Sequence, residues 1–500
     1  MSLYRLLLKL ASLPVVGDNI GVAVSRIGIN HFARSIPARP RPLSLWSSTP
    51  AIVPGTPAGT DHVADYTSWP GLTDRSFSAR HLPPASLEYV AQLPPHRVYQ
   101  PGSEFGPSDA VTQLFVRDGQ MRPSRSSLLF MFFAQWFTDS LFRFNGADRR
   151  RNTSNHDVDL CEIYGLTNSH TSALRAHAGG RLKSQILDGG EYPEYLCAAD
   201  AGGIARVRPE FEPLFSGAPT MSADGFVDAM LVSARLGLTA EQLDLRKHKL
   251  YATGLERGNS SVGYVAISVI FLREHNRIAS ELAARNPSWS DERLFQTARN
   301  INIVLLLKLI VEDYINHILG HSIFKLDPSF AEEEEWYRPN WIAAEFGLLY
   351  RWHGLVPDRI TINDRVAEHS EFRFNNGLLE AVGVGSLIDQ VSRQQAGRIS
   401  LGNTPEFLWA AESLSVQMGR DFRLQPFNAY RVRFGLPRIE SYSELTSDRA
   451  LQAALNALYP NIEHLELVVG LFAEEADEGA LFGDLLNQMV AYDAFTQIFD

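Results

Sequence analysis

Cysteine is nearly absent: the 500 residues hold two, Cys161 and Cys197. Two thiols build no disulfide framework, and alone they make no thiolate zinc or iron–sulfur site. A reducing compartment is the simpler expectation. Long apolar runs are missing too. None reaches about 18 uninterrupted residues, which argues against a spanning helix. Positive charge is in deficit, and a net charge of −11 argues against a nucleic-acid-binding surface. Alternating strand patterns are scarce, and no tandem repeat is visible. Gly383-Val384-Gly385 lacks the third glycine and the preceding strand of a dinucleotide loop, and no phosphate-loop lysine motif occurs.

What is present is the composition of a globular chain, 45% apolar and 21% charged. That excludes a mainly disordered protein. Residues 1–35 read as an amphipathic segment. Leu6, Leu7 and Leu10 share one face, with Arg5 and Lys9 on another. The segment is a candidate for membrane contact and equally for packing on the protein's own body. It has no long apolar core and no small-residue cleavage site, so a cytoplasmic protein is expected, with peripheral membrane attachment as the variant. Residues 36–64 form a connector rich in proline: Pro37, Pro40, Pro42, Pro50, Pro54 and Pro57.

Residues 65–500 then read as one catalytic domain, mainly α with little β structure. Helices are expected from Ser127 to Phe144, from Val262 to Arg285, and from an N-cap at Ser290 to His317 with Gly320 as the stop. Further helices are expected near 340–352, 376–395, 405–418, 448–458 and 480–498. The acidic run Glu332–Glu335 reads as a solvated loop.

Three places carry chemistry. In Phe346-Gly347-Leu348-Leu349-Tyr350-Arg351-Trp352-His353, a tyrosine precedes a histidine by three residues. On a helix, one turn would put both on the same face. A neutral imidazole is a good iron ligand, and a phenol beside a haem is a natural one-electron donor. Gln135, Thr138 and Asp139 form a polar face on an otherwise apolar helix. Buried amide and carboxylate groups need partners or a function, because unpaired burial is costly. Arg257 stands just before the helix that starts at Val262, where the helix dipole does not favour a cation. Its presence there points to a carboxylate, an anion or a polarised oxygen nearby.

Several motifs in order resemble the peroxidase–cyclooxygenase superfamily, the animal-type haem peroxidases together with cyclooxygenases and fatty-acid dioxygenases. They are Phe133-Ala134-Gln135-Trp136-Phe137-Thr138, Val158-Asp159-Leu160 with Ile163-Tyr164-Gly165, Phe271-Leu272-Arg273-Glu274-His275-Asn276-Arg277, Leu294-Phe295-Gln296-Thr297-Ala298-Arg299, Gly419-Arg420-Asp421, and Phe427-Asn428-Ala429-Tyr430-Arg431. The similarity runs from about residue 65 to 490. It implies haem b, with His353 as the axial ligand of the iron. It makes Tyr350 the residue that cyclooxygenases oxidise to a radical and Gln135 the distal glutamine. Arg257 falls where classical animal peroxidases keep a distal arginine. Asp139 occupies the place of the distal histidine, which puts the usual peroxide activation in doubt.

The resemblance also implies weaker matches at a substrate gate, Arg34 for the arginine that pairs a fatty-acid carboxylate and His321 for its tyrosine partner. The serine acetylated by aspirin falls at Ala494. Asp157 and Asp159 only partly suggest the peroxidases' calcium loop, so calcium is not expected. The epidermal-growth-factor module is missing. The expected activity is haem-dependent insertion of O2 into an unsaturated fatty acid, started by a Tyr350 radical. The alternatives are a haem peroxidase that reduces H2O2 or lipid hydroperoxides with small reductants, and a haem-binding protein without turnover. The sequence leaves the oligomeric state open.

Overall fold

The computed structural model describes residues 18–36, 41–42, 78–101, 107–145, 148–154, 156–216, 221–337, 341–477 and 479–499. The leucine face at Leu6, Leu7 and Leu10 lies outside the described residues, as does most of the 36–64 connector. Within that connector, Arg41–Pro42 pairs antiparallel with Ala79–Arg80.

Helices carry the architecture, and strands occur only as short two-stranded antiparallel ladders among the described residues. The helices that matter for the site are α1 (Asp18–Ala33), α2 (Leu128–Asp139), α3 (Val262–Arg285), α4 (Asp291–Leu309), α5 (Phe346–Leu349), α6 (Trp409–Asp421) and α7 (Asp484–Ile498). Helix α3 has the expected bounds, capped by Ser261, whose side chain accepts from Tyr264 N. Helix α2 stops at Asp139, earlier than expected. Helix α4 starts after its Ser290 cap, passes through a π turn at Ile310–Ile315, and ends at left-handed Gly320. The expected 376–395 helix is two pieces, Asn376–Val382 and Val384–Ser392, broken at Gly383 (φ +80°). One stretch, Asp291–Leu319, is long and apolar enough to cross a membrane by length and composition. Here α4 lies along α3 and buries Leu294, Phe295, Ala298, Asn302 and Leu306.

Helices α2 and α3 cross closely. A side chain at Gly263 would put its Cβ 2.2 Å from the Phe132 ring, so only glycine admits this approach. Trp136 then stacks on Phe271 at 4.9 Å, and its indole N–H donates to Ser268 at 2.9 Å. Helix α1 uses its apolar face on the protein itself. Val24, Ile29, Phe32 and Ala33 are buried, and Phe32 meets Phe324 and Phe495. Its polar face is docked by Asn30, which donates to Glu334 at 2.9 Å, and by Arg26, which donates to Asp327 at 2.9 Å. Glu334 is therefore a docking point, while Glu332, Glu333 and Glu335 are solvated as expected.

The motif at Phe271–Arg277 serves as scaffold. His275 is fully buried. Its Nε2 lies 2.9 Å from the Gly180 carbonyl, which can only accept, so Nε2 carries the proton. Nδ1 then accepts from the Tyr164 hydroxyl at 2.8 Å, and Asn302 donates to the same phenol oxygen at 3.2 Å. Burial pushes the imidazole down from 6.5 to about 4. Between those values the unfolded chain binds the extra proton, so stability is lost as pH falls from about 6.5 to 4. The loss attributable to His275 is about 3 kcal/mol. Denaturant unfolding at stepped pH should show this slope in the parent protein and a shallower one in His275→Gln. Equal slopes would refute the assignment.

Candidate active site

A cavity of about 390 Å3 brings together Gln135, Asp139, Arg257, Tyr350 and His353, with Tyr264, Arg351 and Arg373 also in its wall. That volume lies in the range of small-molecule and cofactor sites.

One wall comes from α2, the start of α3 and the loop before it. Gln135, Thr138 and Asp139 share a face, as the spacing predicts. Thr138 turns inward and donates to the Ala134 carbonyl at 2.7 Å. The Gln135 amide donates to Ser260 at 3.4 Å and accepts from Ser261 at 3.2 Å, which ties α2 to the cap of α3. Asp139 has both oxygens engaged. Oδ1 lies 2.6 Å from the Arg257 guanidinium, and Oδ2 accepts from the Tyr264 hydroxyl at 3.2 Å. The carboxylate raises the arginine further above its ordinary value, and burial with that carboxylate beside it pushes the Tyr264 phenol well up. The misplaced arginine of the sequence thus has a carboxylate partner. Its loop is pinned at both ends. Glu256 takes two bonds from Arg143, at 3.0 and 2.9 Å. Gly254 presses on the short helix Cys161–Tyr164, where a Cβ would stand 1.9 Å from the Cys161 carbonyl oxygen.

Tyr350 and His353 do not share a helical turn. Helix α5 ends at Leu349, and His353 opens a separate 3-10 turn. Two contacts end the helix. The Trp352 indole donates to the Leu349 carbonyl at 2.6 Å, and Gly354 lies so close to the Arg398 carbonyl that a Cβ would be 2.6 Å from its oxygen. Both side chains still reach the cavity. Between them in sequence, Trp352 stacks on Tyr350 with ring centroids 4.4 Å apart. The Tyr350 hydroxyl is buried without a hydrogen-bond partner. Burial, and then the Asp493 carboxylate, pushes its proton affinity well above that of an ordinary phenol. Asp493 is itself buried beside Ala494 on α7, 3.7 Å from His81.

Sequence reasoning missed three contributors. Glu412, on α6, lies 3.0 Å from His353 Nδ1. Tyr264 holds Asp139. Arg351 is half-buried at the cavity, its Nε buried and unpaired, with no ion-pair partner found among the described residues. Burial, with Arg257 nearby, lowers its guanidinium from the ordinary value. An arginine between a radical-type tyrosine and a ligand-type histidine was the available signal. Arg34 and His321 lie apart from this cavity. Arg34 pairs with Glu334 instead of His321 and lines a second cavity, of about 510 Å3, with Ile27 and Asn30. His321 is half-buried, and burial with Arg125 nearby lowers its imidazole. Asp159 accepts from Cys161 N at 2.9 Å. Among the described residues, no group of three or more His, Cys, Asp or Glu could hold a metal ion.

This cavity, with an imidazole on one side and an arginine–carboxylate pair in its wall, belongs to a haem-dependent oxidoreductase fold. The family model for animal haem peroxidase matches residues 143–500. Rat prostaglandin G/H synthase 1 is 33% identical over 454 residues, 88% of this chain and 67% of that protein. The fatty acid alpha-dioxygenase of Arabidopsis thaliana superposes with a TM-score of 0.65 at 15% identity, covering 99% of this chain and 84% of that one. Peroxidase A from Dictyostelium discoideum superposes with a TM-score of 0.62 at 17% identity, covering 93% and 92%. The chain belongs to the animal haem peroxidase family, within the peroxidase–cyclooxygenase superfamily.

The residues present fit a haem. With Nδ1 turned to Glu412, His353 has Nε2 left for an axial ligand bond. Arg351, half-buried with a buried unpaired Nε, is suited to a propionate. Arg351→Met should therefore weaken haem affinity about tenfold to a hundredfold without loss of helical signal. Haem titration followed optically, alongside circular dichroism, checks this; unchanged affinity would exclude the propionate role.

Proposed function

We propose that this enzyme inserts O2 into an unsaturated fatty acid. Haem, when bound, supplies the one-electron oxidant. His353 would hold its iron, and Gln135, Asp139 and Arg257 would line the part of the cavity where the oxidant reacts. Tyr350 would give an electron to oxidised haem and its phenolic proton to water. As a radical it would then take a hydrogen atom from an allylic or bis-allylic carbon; the carbon radical adds O2, and the peroxyl radical so formed takes the hydrogen atom back from Tyr350, which restores the tyrosyl radical. The protein's task is positioning, since reacting atoms must be held in near-contact geometry. The observation that carries this reading is the Tyr350 phenol itself, buried at the cavity wall with its hydroxyl unpartnered and its ring stacked on Trp352. The Tyr314 hydroxyl is likewise buried and unpartnered, so what singles out Tyr350 is that its phenol stands in the cavity wall, three residues before His353. The cyclooxygenase and fatty-acid dioxygenase likenesses support a fatty acid as the substrate class.

A second reading, peroxide reduction with small reductants, is favoured by the Arg257–Asp139 pair at the cavity. A cation there suits the charge that develops as an O–O bond breaks. Asp139 then acts by holding Arg257, because both of its oxygens are already engaged.

Tyr350→Phe should abolish O2 uptake with a panel of unsaturated fatty acids while the haem spectrum is unchanged. A fully active Tyr350→Phe protein would remove the radical mechanism. Arg257→Leu should lower peroxide-driven oxidation of a phenolic dye by about a hundredfold at equal haem content. An unaffected rate would remove arginine from peroxide activation.

A further inference from the structure

We infer that Glu412 is a positioning residue for the iron ligand, holding the Nδ1 proton of His353 and setting how strongly this imidazole donates to iron. The inference rests on the reading above that His353 is the axial ligand. Oε1 of Glu412 lies 3.0 Å from Nδ1, and the glutamate side chain is 2% exposed. The pair stands at hydrogen-bond distance with the N–H not yet aligned on the oxygen. Such bonds commonly tighten once the site is loaded.

Glu412 is held by one hydroxyl that is itself firmly fixed. The same Oε1 accepts from the Thr404 hydroxyl at 2.7 Å. Thr404 is fixed in turn: its N–H donates to the Phe115 carbonyl at 2.9 Å, and its carbonyl accepts from Arg117 N at 3.0 Å and from the Trp409 indole at 3.0 Å. Trp409 begins α6, the helix that carries Glu412. The carboxylate therefore cannot swing away from the histidine without disturbing two elements.

Oε2 of Glu412 is buried and makes no hydrogen bond. A buried carboxylate served by one hydroxyl is costly to keep unless a further positive group is satisfied by it. The Nδ1–H of an iron-bound imidazole is that group. A ligating histidine usually donates its second N–H to a carboxylate or carbonyl, which fixes the tautomer and raises ligand basicity. An anionic partner favours the ferric over the ferrous state and so lowers the reduction potential. It also pushes electron density toward the opposite face, where it assists O–O cleavage. Elsewhere in the cavity wall Asp139 is committed to Arg257 and Tyr264, and among the described residues no imidazole besides His353 lines the cavity to move a proton. A strong proximal donor offsets that weak distal side.

The test uses the haem-loaded full chain and reads two quantities that a merely structural glutamate would not move. They are the iron–histidine stretch of the ferrous protein by resonance Raman, and the ferric/ferrous midpoint potential. Glu412→Gln should shift the stretch to lower frequency and raise the potential, and Glu412→Asp should recover part of both shifts. Thr404→Val frees Oε1 for the imidazole and should move both readouts the opposite way. If Glu412→Gln does not hold haem, Thr404→Val decides alone. His353→Gly serves as the reference. Loss of the stretch in His353→Gly with no movement in the Glu412 and Thr404 variants would overturn the role of Glu412. Persistence of the stretch in His353→Gly would overturn the axial-ligand reading instead.

Discussion

The crossing of α2 and α3 is the constraint on which the site depends. Gly263 lets the two helices approach until its Cα lies against the Phe132 ring. That approach brings the polar face of α2 to the capped start of α3, so Gln135 meets Ser260 and Ser261 while Asp139 meets Tyr264. Gln135, Asp139 and Arg257 are then fixed relative to one another by the hydrogen bonds to Ser260, Ser261 and Tyr264 and by the ion pair. A wider crossing would leave Asp139 a buried carboxylate without partners, at a cost of about 1–3 kcal/mol; Gln135, expected to be buried, is exposed. Close packing here is what makes a polar wall tolerable inside an apolar body.

The arginine–carboxylate pair follows from the same geometry. Arg257 reaches Asp139 because its loop is clamped on both sides, by the Arg143–Glu256 pair and by Gly254 against Cys161. A guanidinium beside a carboxylate is a stable resting arrangement, but it commits the carboxylate. Asp139 cannot serve as a free base while it holds Arg257 and accepts from Tyr264. A carboxylate so committed places a cation rather than moving a proton.

Legibility in the sequence tracked the range of the interactions. Helix α3 could be bounded to the residue because its Ser261 cap and apolar face are local signals. The α5 segment could not, because it is stopped by the Trp352 indole and by the Arg398 carbonyl, which the chain supplies from outside the segment. The spacing of Tyr350 and His353 was thus informative for the wrong local reason: the two reach one cavity through a broken helix, not one turn. Glu412 carries no local signal at all, since it looks like any glutamate in the first turn of a helix. Arg34 was singled out as a carboxylate binder, and it does bind one, but that carboxylate is Glu334, 300 residues away.

The two sides of the cavity also differ in what their buried charges do. Around Asp139 the charges are matched: one buried carboxylate, one half-exposed guanidinium, one phenol donor. Around His353 they are not. Glu412 has a bare buried oxygen, Arg351 a bare buried nitrogen, and Tyr350 a bare hydroxyl. Each lack has a counterpart in a haem or its chemistry: an imidazolium-like N–H polarised by iron for Glu412, a propionate for Arg351, and loss of the phenolic hydrogen for Tyr350. Unsatisfied buried groups are few in stable proteins and call for an explanation. Tyr350 and Arg351 are chain neighbours and Glu412 touches His353, so these three unpaired groups gather around the stretch from Tyr350 to His353, where sequence resemblance and physical argument agree most closely.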